Sequence, residues 1–425
     1  MLTTAQLRDD NQRIIDGLLK KGFTDAPTVI AHVLTTDDKR KALQAQRDTL
    51  QAEVGTSSAS IAQLMKSGNS AEAETAKTRV AVLKAEIKGL ETQLEALETK
   101  IYESLVRLPN VPHTSVPVGK LPEDNEVVLT WGAPPTLYDK AQPHWDLIKQ
   151  YDIIDFELGN KVSGAGFPFY KGKGARLQRA LINFFLDWAG AAGYREIQAP
   201  ILINRDSGFG TGQLPDKDGQ MYHATEDDLF LIPTAEVPLT NMYRDELLRP
   251  ADLPIKVAGY TPCFRREAGS WGAHVRGLNR LHQFDKIEIV QVRKPEESYA
   301  ALEEMSLHVQ SLLQDLGLHY RVLRLCGGDM SFASALTYDM EVWSGAQQRW
   351  LEVSSVSNFE TFQSSRLKLR YKAEGDKKTT LLHTLNGSAL ALPRIVASIL
   401  ENNQTPEGIR IPEVLVPYTG FDLIS

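Results

Sequence analysis

Residues 262–290, PCFRREAGSWGAHVRGLNRLHQFDKIEIV, place four arginines within sixteen positions between two strand-like runs of a chain that is acidic overall. Successive side chains on a strand point to opposite faces, so TPCFRRE puts Arg265 and Glu267 on one side and Phe264 and Arg266 on the other. In LHQFDKIEIV, the set His282, Phe284, Lys286 and Glu288 opposes Leu281, Gln283, Asp285, Ile287 and Ile289, so an aromatic ring and a carboxylate share a face. The connection AGSWGAHVRGLN, residues 268–279, is glycine-spaced and too polar for a core, which predicts a mobile link between antiparallel strands. Arginine, an aromatic ring and carboxylates on one platform suit a nucleotide and an amino acid: guanidinium on phosphate, ring on base, carboxylate on an amine or ammonium. The same residues could instead form cross-strand salt bridges on a solvated sheet.

The rest of the chain sets bounds on that reading. Its 425 residues, 42% hydrophobic and 24% charged, are ordinary globular composition and enough for two or three domains. Cys263 and Cys326 cannot make a disulfide framework, and neither belongs to a Cys/His cluster of the kind that holds structural zinc, so a reducing compartment is expected. No run approaches the roughly 20 apolar residues of a membrane span, and the N-terminus lacks a signal-peptide core, so the expectation is a cytoplasmic protein with no membrane partner. With 47 basic against 54 acidic residues the net charge is −7, and a polyanion has to be met by local patches rather than by the whole surface.

Residues 37–108 lose proline and nearly all aromatics and fill with Ala, Gln, Glu, Lys and Leu. Val80, Leu83, Ile87, Leu90, Leu94, Leu97 and Ile101 alternate spacings of three and four, the seam of a coiled coil. Leu43, Leu50, Val54, Ile61 and Leu64 repeat the pattern more weakly, and SerGlyAsn at 67–69 separates the halves, so an antiparallel hairpin about 45 Å long is predicted for residues 37–66 and their return. Charge leaves its role open between a dimerisation coil and a nucleic-acid arm: residues 37–108 hold 11 basic and 11 acidic side chains, although Lys39–Arg40–Lys41, Arg47, Lys66, Lys77, Arg79, Lys84 and Lys88 could grip phosphates locally. PNVPH at 109–113 stops the helix, which puts a domain boundary there, with residues 1–110 before it and 111–425 after it. Beyond it, strand patterns at 196–203 and 338–343 mix with helices such as 175–191, an α+β arrangement rather than regular βαβ winding. Neither a Walker A motif nor a Rossmann fingerprint is present.

FRRE followed by RGLNRLHQFDKIE resembles motif 2 of the class II aminoacyl-tRNA synthetases, and in particular the seryl-tRNA synthetases of bacterial type. The resemblance runs in order through TGQLP (211–215), TAE (234–236), EVSS (352–355) and TLNGS (384–388). It implies a class II antiparallel-sheet catalytic domain behind an N-terminal coiled-coil hairpin that binds tRNA(Ser), with tRNA(Sec) a second conceivable acceptor. By similarity, Arg265 holds the ATP α-phosphate and the substrate carboxylate, Glu267 the adenine amino group and Phe284 one face of adenine, while Arg266, Arg280, Val353 and Ser354 join the ATP contacts. Glu288 would take the ammonium of L-serine, and Thr234, Ala235, Glu236, Asn386 and Ser388 would line the pocket around its hydroxyl. Glu352 and Ser355 would hold a Mg²⁺ on the ATP phosphates. No zinc is expected, because the relatives that use it hold it partly by cysteine.

Motif 3 looks like NGSALALPRIVASIL, with Arg394 at the γ-phosphate position, which makes Arg265 and Arg394 the catalytic pair. Ala389 and Pro393 stand where the family usually has glycine, so the helix is expected to start late or to kink. Motif 1 looks like helix 175–191 and GYREIQAP. Its apolar stripe, Leu177, Leu181, Phe184, Phe185 and Trp188, reads from the residues alone as core packing, whereas the resemblance makes this region the interface of a homodimer in which each arm reaches toward the other subunit's active site. For Asp339 and Glu341, a metal floor and pairing with local arginines both remain open. Other readings of the whole chain are a threonine or proline synthetase, a carrier-protein ligase, and an inactive RNA-binding scaffold; the set Arg265, Glu267, Glu288, Glu352 and Arg394 speaks against the last.

Overall fold

The computed structural model describes residues 1–216, 219–267 and 276–425. Its internal contacts divide the chain into two compact units, Met1–Pro109 and Asn110–Ser425.

In the first unit, helices α1 (Thr4–Asp9) and α2 (Asn11–Lys20) precede the long pair α3 (Ala26–Lys66) and α4 (Ser70–Val106). Thr3 and Gln6 form a reciprocal capping box that satisfies two free N–H groups at the start of α1. The hairpin turns where SerGlyAsn predicted it, and Gly68 takes the left-handed φ of +82°. Its first helix, however, starts eleven residues before the compositional change at 37, with Pro27 in its first turn, where a missing N–H costs nothing. Its 41 residues therefore extend about 60 Å rather than 45 Å. Val80, Leu83, Ile87, Leu90, Leu94 and Ile101 are buried along α4, while Leu97 and the weaker seam of α3 are half-buried. Beside α1, Asp37 is 1% exposed and meets Arg8 and Arg40 at 2.8 Å and Lys41 at 3.2 Å. Burial alone would raise its pKa, but the three cations prevail and bring it down to about 2.

The second unit is built on one eight-stranded sheet. Its strands are β1 (Glu126–Trp131), β2 (Arg195–Glu196), β3 (Ile255–Phe264), β4 (Gln283–Arg293), β5 (Tyr320–Arg324), β6 (Leu336–Ser344), β7 (Arg349–Asn358) and β8 (His383–Ala391). The order across the sheet is β1-β5-β6-β7-β8-β4-β3-β2, antiparallel throughout except for the β2–β3 pair. Helices α5 (His144–Gln150), α6 (Gly172–Ala191), α7 (Glu236–Asn241), α8 (Ser298–Asp315) and α9 (Leu392–Asn402) pack around it, an α+β architecture.

Two expectations need correction, and at two further points one of the alternatives left open is met. The strand predicted over 196–203 is two short pieces in different sheets: pairing stops at Glu196 and resumes at Leu202, and Pro200 between them has no N–H for a ladder. The hydrophobic stripe of α6 is core within this unit, with Leu177, Leu181, Phe184 and Phe185 at most 4% exposed, so those side chains are already covered. Helix α9 begins at Leu392 with Pro393 in its first turn, so the proline starts the helix and does not kink it. Finally, β3 ends at Phe264, although the Arg265 N–H still bonds to the His282 carbonyl at 2.9 Å. The Arg266 N–H turns away to Gln220, and Glu267 adopts a φ of +49°, so the expected alternation fails beyond Arg265. Of the connection expected to be mobile, residues 268–275 lie outside the described residues.

Candidate active site

The hairpin β3–β4 sets Phe264 opposite Gln283 and Gly259 opposite Glu288. Phe284, Lys286 and Glu288 thus share the face that period-two reading assigned them. Above it lies a cavity of about 740 Å³, walled by β4, β6, β7, β8, the first turn of α9 and the segment after β3.

One end is cationic and aromatic. The Arg265 guanidinium stands over the Phe284 ring, 5.4 Å from its centroid. Glu267 also faces the cavity, ion-paired with Arg280 across the base of the hairpin. Arg394, one residue after the proline that opens α9, donates from Nε to the Asn279 carbonyl at 3.0 Å and from Nη1 to the Glu352 carbonyl at 2.6 Å. Its guanidinium therefore ties β7 to the 3-10 turn Gly277–Asn279.

The other end is a buried acidic nest. Glu288 is fully buried beneath the wall, where its Oε2 accepts from Thr234 Oγ1 at 3.1 Å and meets Lys286 Nζ at 2.5 Å. Lys286 Nζ also donates to Thr234 Oγ1 at 2.9 Å, while Glu288 Oε1 has no protein partner among the described residues. Glu236 opens α7 on the same wall and accepts from Gln363 Nε2 at 2.6 Å; Gln363 in turn accepts from Thr384. Burial raises the Glu236 pKa, the negative charge of Glu288 adds to that, and the group is pushed up to about 7. Glu288 pairs with Lys286, Glu236 feels the charges of both Lys286 and Arg265, and the partnerless Glu288 Oε1 suits a further cationic donor, which is what an ammonium-bearing substrate offers.

The third wall depends on a bulge. Residues 352 and 355 of a regular strand would face opposite ways, but the β6–β7 register slips between Met340 and Glu341, pairing Met340 with Ser354 and Glu341 with Glu352. The extra residue, Val353, returns Glu352 and Ser355 to the same cavity wall. Asp339, opposite Ser355 on β6, also lines the cavity. Burial foremost, then the charge of Glu352, holds its carboxyl well above the usual range. Glu341 instead pairs with Arg321 at 2.5 Å, the arginine-pairing reading for that acid.

The cavity thus gathers Arg265, Glu267, Arg280, Phe284, Thr234 and Glu236 with residues 352–355, Asn386, Ser388 and Arg394. Ser388 is 9% exposed, and its carbonyl accepts from Ser354 Oγ at 2.6 Å. Arg266, expected among the ATP contacts, is exposed but absent from the wall, because the chain turns at that point. Ala235 is fully buried behind the wall and Glu288 beneath it. Lys286, Gln363 and Asp329 were not assigned from sequence; the first was signalled by the same alternation that placed Phe284 and Glu288, the other two by nothing local.

Comparison with known proteins adds an independent line. A family model described as the seryl-tRNA synthetase N-terminal domain matches residues 1–112, and one described as the tRNA synthetase class II core domain (G, H, P, S and T) matches residues 220–403. The serine–tRNA ligase of Salinibacter ruber is 50% identical over 100% of this chain and 99% of its own length, and that of Chlorobium luteolum 48% identical with the same coverage. Among solved structures, the seryl-tRNA synthetase of Pyrococcus horikoshii complexed with ATP superposes with a TM-score of 0.90 at 32% identity, covering 100% of this chain and 99% of that one. The cytoplasmic serine–tRNA ligase of Naegleria fowleri in complex with AMP gives 0.87 at 28% identity, covering 98% and 96%.

Proposed function

Because the chain belongs to the seryl-tRNA synthetase family of class II, we propose that it is an ATP-dependent ligase that joins L-serine to tRNA(Ser) through a seryl-adenylate. The observation that carries this reading is the two-ended cavity, with Arg265, Phe284 and Arg394 at one end and the Glu236–Glu288 nest at the other. Adenine stacks on Phe284 with its amino group toward Glu267, and Arg265 holds the α-phosphate and the serine carboxylate. The serine ammonium goes to Glu288, and its hydroxyl to the polar wall formed by Thr234, Glu236, Asn386 and Ser388. Alanine leaves those buried polar groups unpaired, and threonine brings a methyl group too many.

In the first step a serine carboxylate oxygen bonds to the α-phosphorus, the bond to the bridging oxygen breaks, and pyrophosphate leaves with its electron pair. In the second the 3′-hydroxyl of the terminal tRNA adenosine attacks the seryl carbonyl carbon, losing its proton as AMP departs. No enzyme nucleophile is required. The chain contributes by holding two anions in line and offsetting the charge that develops, with Arg265 on the α-phosphate and Arg394 on the γ-phosphate.

A Mg²⁺ belongs to the same proposal. Among the described residues no three carboxylate, imidazole or thiol groups converge on a metal position. Nucleotide-bound Mg²⁺ usually takes one or two carboxylates together with substrate phosphates, and Glu352 with Ser355 fits as a hard-oxygen pair on one wall. When bound, the ion neutralises phosphate oxygens.

The α3–α4 hairpin is assigned to tRNA(Ser). A homodimer is also proposed; with the α6 stripe already covered, the apolar surface that supports it is the sheet-edge strand β1, where Val127, Val128, Leu129 and Trp131 are all exposed. A cytoplasmic location agrees with two buried free thiols, and among the described residues no helix is long and apolar enough to cross a membrane. Serine-dependent ATP–pyrophosphate exchange, run beside threonine, alanine and proline, tests the reading: exchange with serine alone is expected, and exchange driven by another amino acid overturns it.

A further inference from the structure

A serine hydroxyl that ligates a cation does so through an oxygen lone pair, and its proton must then point away from the ion toward an acceptor. In this molecule the acceptor beside Ser355 is Asp339. The two residues face each other across the β6–β7 ladder, next to the bulge that brings Glu352 onto the same wall. The Ser355 side chain lies near enough to the Asp339 carboxylate to act on it as a donor, opposing the rise that burial imposes on that carboxyl. Asp339 is 9% exposed, lines the cavity, and keeps a second carboxylate oxygen, Oδ1, that is buried without any hydrogen-bond partner among the described residues. Its charged neighbours are Glu352, Asp329 and Glu341, all acidic; Glu341 pairs with Arg321 at 2.5 Å and Glu352 comes within 3.8 Å of Arg394 Nη1. A buried carboxylate surrounded by acids is a costly arrangement in an empty site and a favourable one beside a divalent cation.

We propose that Asp339 is the positioning residue of the cation that accompanies ATP: it accepts a hydrogen bond from the Ser355 hydroxyl and so turns a lone pair of that oxygen toward the cavity. This rests on the reading of Glu352 and Ser355 as ligands of that cation. Asp339 acts through Ser355, as the acceptor of its hydroxyl hydrogen.

The test uses the full-length protein with ATP and no serine, so that no adenylate forms, and Mn²⁺ as the probe, with free Mn²⁺ read from its paramagnetic resonance signal. Asp339→Ala is expected to weaken Mn²⁺ binding about 10- to 100-fold, the range usual for loss of an outer partner of a metal ligand. Asp339→Asn keeps an acceptor oxygen, removes a charge that its neighbours oppose, and should recover most of the affinity. The double variant Asp339→Ala/Ser355→Ala should bind no more weakly than Ser355→Ala alone. A merely structural role would lower the thermal midpoint without following this order. Wild-type affinity in Asp339→Ala, no recovery in Asp339→Asn, or additive losses in the double variant would each overturn the proposal. Glu352→Gln separates the two layers: if it too leaves Mn²⁺ binding unchanged, the ligand reading itself fails, whereas a loss there with none in Asp339→Ala removes only the role of Asp339.

Discussion

The His144 imidazole and the Glu401 carboxylate lie 2.6 Å apart with neither side chain exposed, and the other ring nitrogen of His144 accepts the Leu278 N–H at 2.8 Å. Because Nε2 accepts, Nδ1 carries the proton that Glu401 receives. Glu401 also accepts from Gln347, which bonds to Asn279, whose carbonyl holds Arg394 at 3.0 Å. A buried pair thus fixes the turn that supports Arg394. The fit is close: at Gly277, which has a φ of +67°, an added Cβ would come within 2.3 Å of His144 Nε2.

His144→Ala removes one donor from a buried carboxylate that keeps Gln347 and Ser344, and should destabilise the protein by about 1–3 kcal/mol. Burial would raise the Glu401 pKa, but the His144 hydrogen bond prevails and holds it below the ordinary value. A lowered folded pKa contributes stability that is present above the ordinary carboxylate range and lost as pH falls below it. The gap between wild type and variant, followed by urea unfolding, is therefore expected to narrow in acid.

Arg265→Ala should cut ATP–pyrophosphate exchange by about 10²–10³-fold or more, the usual loss when a donor to developing charge is removed. The fall should appear in kcat as well as in KM, because charge on the α-phosphoryl group grows in the transition state. Exchange at the wild-type rate would remove Arg265 from the mechanism.

Glu236 titrates at about 7, raised by burial first and by Glu288 second, so near neutrality it is only partly ionised. A substrate ammonium entering the nest favours the ionised form. Serine half-saturation is then expected to worsen as pH drops from 8 to 6, with proton release on binding by calorimetry in buffers of different ionisation heat. Glu236→Gln should flatten both. Because the folded pKa is raised, the group's own contribution to stability is full below about pH 4.5 and declines as pH rises through about 7.

Lys84 and Lys88 are exposed, one turn apart on α4. If the hairpin grips tRNA, reversing both to Glu should raise the KM for tRNA(Ser), reduce the salt dependence of charging and leave pyrophosphate exchange unchanged. A dimerisation coil would instead lose subunit association, measured by sedimentation, with exchange and charging changing together.

The parts legible in advance were those governed by strict periodicity. The three-four spacing from Val80 to Ile101 marks the buried seam of α4, and the alternation from Phe284 to Glu288 marks one face of β4. What escaped depends on departures from periodicity. Glu352 and Ser355 meet only because of the extra residue at Val353, and Glu267 faces the cavity through a left-handed backbone turn rather than through alternation from Arg265. Gln363 reaches Glu236 across 127 positions of sequence, a proximity that no local pattern encodes. For the stripe of α6, core packing, one of the two readings open at the outset, is what the fold uses for Leu177, Leu181, Phe184 and Phe185.

The paired helices joined by Ser67–Asn69 behave as a ruler with graduations of seven. Cutting one heptad from α3 and the facing heptad from α4 would bring the tip inward by about 10 Å while every remaining knob keeps its hole. Cutting it from one strand alone would slide the ladder out of step and strand apolar side chains in water. Length in this appendage can therefore change, in the laboratory or over generations, only by matched edits on both sides of the turn.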